Sequence, residues 1–488
     1  MNKLANSKLD NTVTESTRDS VGRSTLLRSG FWYTECNCLF KSATFLATPI
    51  FSRVLSVNEM GEYTNFNSWL LIMTVLTGFD LQQTIILSKV ENEKDMDSYV
   101  FSILFLTTVA TGVFLGLVLL FPSFFVNLFN VELKYIYLMV AYLLFTPAFQ
   151  MYATKHRVYY KYKSYVLLTG LVSILAVLFS IVLIFLLEDK LTGRMLGNYL
   201  PYILFGVVLY LLLAIRGKRI RLCYWKSSMM ICLPLVPHVL SLFLLSSSSK
   251  IIITKLCGTE LTAIYGIAYI VYNVATVLFD SMNKAWAPWL IENLHLKNYY
   301  DIKQASRIYI LIFSGLALGV LLLTPEIVRF LGGEQYAGAV YCVAPLICSC
   351  IFQCIYTMYV NIEFYKKQTM MVSVATVIAM GVNILLNYIL IPLNPAYGHV
   401  IASYTTLAGY ILLFIMHFVL VKRLKMTHVY DTRFVLLILM LAFAVSLLMN
   451  LFYHITLIRY LLIALFLAIV VMLFWRYRLI ALQFFHKK

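Results

Sequence analysis

The chain has 488 residues, of which 61% are hydrophobic and 12% charged, with a formal net charge of +17. So little charge and so many apolar runs of about 20 residues exclude a soluble globular domain. A β-barrel is excluded in practice, because its strands would read as short alternating segments. The basic residues sit in short juxtamembrane connections, which leaves no arm for nucleic acid.

The first 30 residues are polar and include Lys3, Lys8, Arg18, Arg23 and Arg28. No short apolar region with a small-residue cleavage site follows, so they read as a cytoplasmic tail. Apolar spans follow near 31–52, 66–87, 99–121, 134–154, 165–187, 195–215, 228–254, 262–284, 307–325, 336–361, 369–392, 398–421, 434–453 and 457–476. That makes about 14 transmembrane helices.

Lys and Arg alternate from one side to the other. One set of connections holds Lys89 and Lys94, Lys155 to Lys163, Arg216 to Lys226, Lys284 to Arg307, Lys366 and Lys367, Lys422 to Arg433, and Arg476 to Lys488. The other holds only scattered charges such as Arg53, Lys134, Lys190, Arg194, Lys255, Arg329 and Arg459. Cytoplasmic loops are enriched in Lys and Arg, so the alternation orients every span and puts both termini in the cytoplasm. The longest connection, near 285–306, is too short for a soluble catalytic domain.

A weak internal repeat lies at an offset of about 202 residues, as in transporters whose repeats pack about a pseudo-two-fold axis. Arg53-Val54-Leu55 falls over Lys255-Leu256-Cys257, and Gly61-Glu62-Tyr63 over Ala263-Ile264-Tyr265. The expected organisation is a cytoplasmic tail (1–30), an N-lobe of helices 1–6 (31–215) and a basic cytoplasmic linker (216–227). A C-lobe of helices 7–12 (228–421), helices 13–14 (434–476) and a second tail (477–488) complete it.

Ionisable residues inside a span cost roughly 2.5–3.5 kcal/mol each and face a cavity or a partner. In span 1, Thr34, Asn37, Lys41, Thr44 and Thr48 share one helical face. A cavity-lining face with Lys41 near mid-membrane is favoured over a helix interface glued by Thr hydroxyls. In span 2, Asp80 follows Thr74 and Thr77 on a similar face; it either pairs with Lys41 or takes a proton. Span 7 carries Pro234 and Pro237, which permit bending, then His238, Ser246 to Ser249 and Lys250. Lys250 either faces the cavity or snorkels to the interface. In span 8, Tyr265, Tyr269, Tyr272, Thr276, Asp280 and Asn283 form one stripe, read as a hydrated groove whose rings can stack on sugars. In span 11, Thr376, Asn383 and Asn387 share a face.

Most of the nine cysteines lie in apolar spans and behave as small hydrophobes. The C-x-C pairs Cys36/Cys38 and Cys348/Cys350 have no His or Cys to complete a metal set, so no metal or cofactor is expected. Neither H-E-x-x-H, Walker A, G-x-S-x-G nor G-x-G-x-x-G occurs in a suitable setting, so the chain is not read as an enzyme. Transport would draw on an ion gradient, the membrane potential or the substrate gradient.

The segment LFKSATFLATPIFSRVLSVNEMGEY (39–63) resembles the opening of the Wzx-type polysaccharide flippases, of the multidrug/oligosaccharidyl-lipid/polysaccharide exporter superfamily. The resemblance recurs at LPLVPHVLSLFLLSSSSKIII (233–253), AIYGIAYIVYNV (263–274), AWAPWL (285–290) and NILLNYILIPLNPAYGHVIASY (383–404), in order over the first twelve helices. It implies an all-α fold of two MATE/MurJ-like lobes plus two C-terminal helices in a bacterial inner membrane. It also implies movement of undecaprenyl-pyrophosphate-linked oligosaccharide to the periplasmic leaflet for O-antigen or other surface polysaccharide, by alternating access. A polysaccharide polymerase and a chain-length regulator are the implied protein partners, besides membrane lipids. Lys41 and Lys250 would attract the pyrophosphate, with Asn37, Tyr269, Tyr272 and Asn383 lining the cavity and Asp80 and Asp280 handling protons or internal pairing. Family members often carry Asp-Arg where this chain has Ser249-Lys250, so the positive charge is kept and the acid lost. Two other readings are a cation-coupled multidrug antiporter of the same superfamily and a membrane glycan polymerase.

Overall fold

Inside a bilayer no water satisfies backbone N–H and C=O groups, so an apolar chain must satisfy them within its own segments, as a helix does. In the computed structural model, which describes residues 45–159, 162–453 and 455–486, every regular element is helical among the described residues. Eleven helices are long and apolar enough to cross a membrane, and the bent pair Val57–Gly78 and Leu81–Lys89 makes a twelfth. The chain is a multi-pass membrane protein. Lys41, Asn37 and most of the expected first span lie outside the described residues.

By contacts the chain divides into two compact units: Met1–Val54 with Leu70–Val236, and Leu55–Trp69 with Pro237–Lys488. The first holds α1 (Phe45–Val54), the end of α2 (Val57–Gly78), α3 (Thr84–Glu91), α4 (Met96–Leu120), α5 (Pro122–Phe129), α6 (Leu133–Val158), α7 (Tyr162–Leu186), α8 (Lys190–Gly217) and α9 (Leu222–Cys232). Helix α8 packs on α7, α6 and α4. Gly193 and Gly197 let it approach α7: a Cβ at Gly193 would stand 2.6 Å from the Leu183 carbonyl oxygen. Small residues four apart are how membrane helices reach close contact where lipid offers no hydrophobic drive. Asp189 caps α8, accepting hydrogen bonds from the Thr192 amide at 3.0 Å and hydroxyl at 2.6 Å.

The second unit holds the start of α2 and α10 (Val236–Cys257), α11 (Thr259–His295), α12 (Tyr299–Leu322), α13 (Thr324–Gly332), α14 (Val340–Tyr365), α15 (Thr369–Leu390), α16 (Gly398–Arg423), α17 (Thr432–Phe452) and α18 (Thr456–His486). Here α16 packs on α14 and α15 as α8 packs on α6 and α7. The short α13 follows α12 behind a proline as α5 follows α4. Each unit therefore repeats one order of elements.

Three boundaries differ from the sequence expectation. The span expected at 66–87 begins at Val57 and bends by 57° after Gly78. Phe79 and Asp80 there take φ of 50° and 54°, the left-handed region, which ends the helical hydrogen bonding. The span expected at 228–254 is two helices, α9 and α10, because Pro234 in the break cannot continue a helix. Helix α9 is held to α4: Trp225 Nε1 donates to the Ser102 carbonyl at 2.7 Å, and the Tyr224 hydroxyl donates to Asp95 at 2.6 Å. That bond, with help from Ser98 and Arg221 against slight burial, holds the Asp95 carboxyl below the ordinary range. Finally, the connection expected at 285–306 is helix as far as His295. Its charges form one face, while Trp286, Leu290 and Leu294 are buried, with Trp286 against Tyr309 at 4.9 Å between ring centroids.

Candidate functional site

In α10 the run Ser247-Ser248-Ser249-Lys250 is buried. Buried hydroxyls and amides need partners, and these come from α15 and α16. Asn387 Nδ2 donates to Ser249 Oγ at 3.1 Å, and Thr405 donates to Asn387 Oδ1 at 2.5 Å. Ser248 Oγ donates to Asn383 Oδ1 at 3.4 Å. Asn383 is thus fully buried within the unit, as a bonding partner of neighbouring helices.

Lys250 is 9% exposed, and its Nζ lies 3.5 Å from the centroid of the Tyr269 ring on α11. Among the described residues no carboxylate lies within ion-pair distance of it. An ammonium over an aromatic face is attracted by the ring quadrupole, by about 2 kcal/mol when desolvated. The ring compensates only part of what burial costs a cation. Lys250 does not snorkel to an interface.

The stripe on α11 divides. Tyr265, Tyr269 and Tyr272 are buried, with successive ring centroids 6.0 and 5.0 Å apart. The Tyr272 hydroxyl donates to Gln353 Oε1 at 2.8 Å and lies 3.0 Å from the Tyr410 hydroxyl. Asp280, two turns further on, is exposed. The groove expected along the whole stripe is therefore a packed aromatic seam at one end and an open face at the other.

Asp80 lies in the bend after α2, where its carboxylate accepts a 2.6 Å hydrogen bond from Gln82 Nε2. Its expected partner Lys41 lies outside the described residues. Pro234 occupies the break between α9 and α10, and Pro237 is the second residue of α10, where a missing N–H leaves no bond unmade. The two units divide at Val236–Pro237.

Two buried features escaped the sequence reading. Arg194, read there as an outside charge, is 4% exposed in α8, donates to Ser180 Oγ at 2.7 Å and lies over the Phe51 ring at 3.7 Å. Glu363, just past the expected end of span 10, is buried against His417 of α16, whose Nδ1 is 3.0 Å from both carboxylate oxygens. Among the described residues no group of three or more His, Cys, Asp or Glu could hold a metal ion.

A family model described as "Polysaccharide biosynthesis protein" matches residues 26–294, more than half of the chain. The chain belongs to this family. No match was found among curated proteins. Among solved structures, the lipid II flippase MurJ in an inward closed conformation is similar with a TM-score of 0.64 at 14% identity, over 90% of this chain and 99% of that one. A multidrug resistance MATE family transporter of the MOP superfamily is similar in its inward-facing conformation with a TM-score of 0.52 at 13% identity, over 80% and 96%. An outward-facing structure titled in the same way gives 0.51 at 15% identity, over 82% and 95%. The polysaccharide biosynthesis protein described here thus has the fold of MurJ and the MATE transporters.

Proposed function

We infer that the protein is a flippase that moves undecaprenyl-pyrophosphate-linked oligosaccharide repeat units across a bacterial inner membrane, by alternating access, for O-antigen or a related surface polysaccharide. Lys250 carries this reading. In a family of polysaccharide biosynthesis proteins, a buried lysine with no carboxylate beside it among the described residues suits an anionic cargo. A pyrophosphate supplies the missing negative charge, and an ammonium serves as a point-charge phosphate binder. The likeness of fold to a lipid II flippase supports a lipid-linked glycan as cargo. A cationic drug fits less well, because Lys250 would repel it. Coupling to an ion gradient, and hand-over to a polysaccharide polymerase and chain-length regulator, follow from the same reading.

Purified protein in proteoliposomes carrying an undecaprenyl-pyrophosphate-linked oligosaccharide should expose the glycan to an external glycosidase faster than protein-free vesicles do. Equal rates would sink the reading. In cells, deletion of the gene should trap the lipid-linked repeat unit on the cytoplasmic leaflet, whereas loss of a polymerase would leave single units at the surface.

A further inference from the structure

We propose that Glu363 and His417 form a proton-binding site through which proton movement is coupled to transport; this rests on the transport reading above. The side chains are 0% and 1% exposed, and the imidazole Nδ1 sits 3.0 Å from a carboxylate oxygen. No Lys or Arg among the described residues lies within ion-pair distance of Glu363. The other ring nitrogen, Nε2, is buried without a hydrogen-bond partner among the described residues.

With the carboxylate ionised, it only accepts, and Nδ1 donates its hydrogen to it. In a neutral ring Nε2 then holds a lone pair, and the buried pair has one net negative charge. A proton added at Nε2 makes an imidazolium, and the pair becomes a neutral ion pair with no other bond made or broken; release reverses the step. Intramembrane ionisable groups of this kind mark proton relays and ion pathways, and imidazole is suited to change charge near neutral pH. Purely structural glue would place a neutral pair here at less cost.

The pair also adjoins the aromatic seam. His417 stacks on Tyr356 at 5.4 Å, and Tyr356 stacks on Tyr410 at 6.1 Å. Tyr410 touches Tyr272, whose ring meets that of Tyr269 beneath Lys250. A continuous set of side chains on α10, α11, α14 and α16 thus joins the proton site to the buried lysine.

Other titratable groups face this region. His238 on α10 is near enough to interact electrostatically with His417. Asp280 on α11 interacts with Tyr356 and with Tyr309 of α12. Tyr359 of α14 meets Tyr430, which precedes α17. Helix α15 carries no charged residue, and Lys366, Lys367, Lys422 and Arg423 stand at the ends of α14 and α16. Arg329 and Glu334 lie near the start of α14, about 35 Å along the helix from Glu363.

The first measurement needs no cargo. Full-length protein labelled with 15N-histidine is titrated, and the His417 resonance is assigned by its loss in His417→Gln. Titrated from about pH 5 to 9, His417 should pass between its neutral and charged forms, and Glu363→Gln should displace that transition. A His417 signal constant over that range, or a midpoint untouched by Glu363→Gln, overturns the site. Should that variant not fold, the wild-type titration decides. The second measurement compares flipping of undecaprenyl-pyrophosphate-linked N-acetylhexosamine with and without a proton gradient. The wild type should show a several-fold ratio, and Glu363→Gln and His417→Gln a ratio near one. Variants that slow both rates but keep the ratio would assign the pair a structural role and overturn the coupling. A wild type that moves no probe sinks the transport reading, whereas one that moves it equally under both conditions sinks the coupling alone.

Discussion

Asn58 and Glu260 stand 202 residues apart in the chain and meet, with Asn58 Nδ2 3.5 Å from Glu260 Oε1. Thr64 and Gly266 share that offset, and a Cβ on Gly266 would stand 2.9 Å from the Thr64 hydroxyl. Between them, Thr259 Oγ1 donates to Asn58 Oδ1 at 2.7 Å. The starts of α2 and α11 therefore meet within the second unit.

Cysteines at 58 and 259 should therefore cross-link in native membranes under mild oxidation. After cleavage at a protease site inserted in the basic connection near Arg219, the two fragments should stay together without reductant and separate with it. Separation under both conditions would mean that the helix starts do not meet in the membrane.

Lys250 gives a graded prediction. Lys250→Arg keeps a cation over the ring and should retain part of the flipping activity. Lys250→Met keeps the stem and loses the charge, and should lower flipping by about tenfold or more, as for a lost charge-assisted phosphate contact. Tyr269→Leu should fall between them. The check is surface polysaccharide at matched protein levels, and full complementation by Lys250→Met would remove the lysine from the binding role.

Asp80 separates charge from backbone. Asparagine tolerates the left-handed conformation as aspartate does, so Asp80→Asn should keep the bend after α2 and the melting temperature in detergent. Asp80→Val should cost about 1–2 kcal/mol, because a β-branched residue resists that conformation. If Asp80→Asn also transports at the wild-type rate, the carboxylate has no part in coupling.

At Asp189, burial pushes the carboxyl up, but the Thr192 hydroxyl and amide and the Lys134 ammonium outweigh it and hold it at about 2 against an ordinary 3.8. The folded value is the lower one, so its stabilisation is complete above about pH 4 and is lost as pH falls toward 2. Asp189→Ala should cost about 1 kcal/mol near neutral pH, the usual worth of a helix cap. Melting curves of the two proteins should converge as pH falls from about 4 toward 2. A gap that stays constant would exclude the ionised cap.

Most helices were legible because a bilayer demands long apolar runs, and α4, α6, α7, α16 and α17 lie close to the expected spans. The errors sit where a local signal was weak or misleading. Phe79 in a left-handed conformation is announced by no glycine or proline of its own. Lys284 suggested a loop, yet it rides the exposed face of a helix whose other face is buried. The site was legible as single residues and not as pairs. Lys250 and Tyr269 were each singled out, but only folding sets the ring beneath the ammonium. Glu363 lies just past the expected end of span 10, and only the fold of α14 and α16 shows that it is buried against His417.

Helix α11 has 37 residues, so it measures about 55 Å, well beyond the roughly 30 Å of a hydrocarbon layer. Its buried tyrosines occupy one end and His295 the other. The helix is a lever arm: a tilt of a few degrees about the seam, too small to resolve among packed rings, becomes a displacement of several ångströms at its far tip. A spectroscopic label near Asn293 would report from outside the bilayer on motions that start beside Lys250.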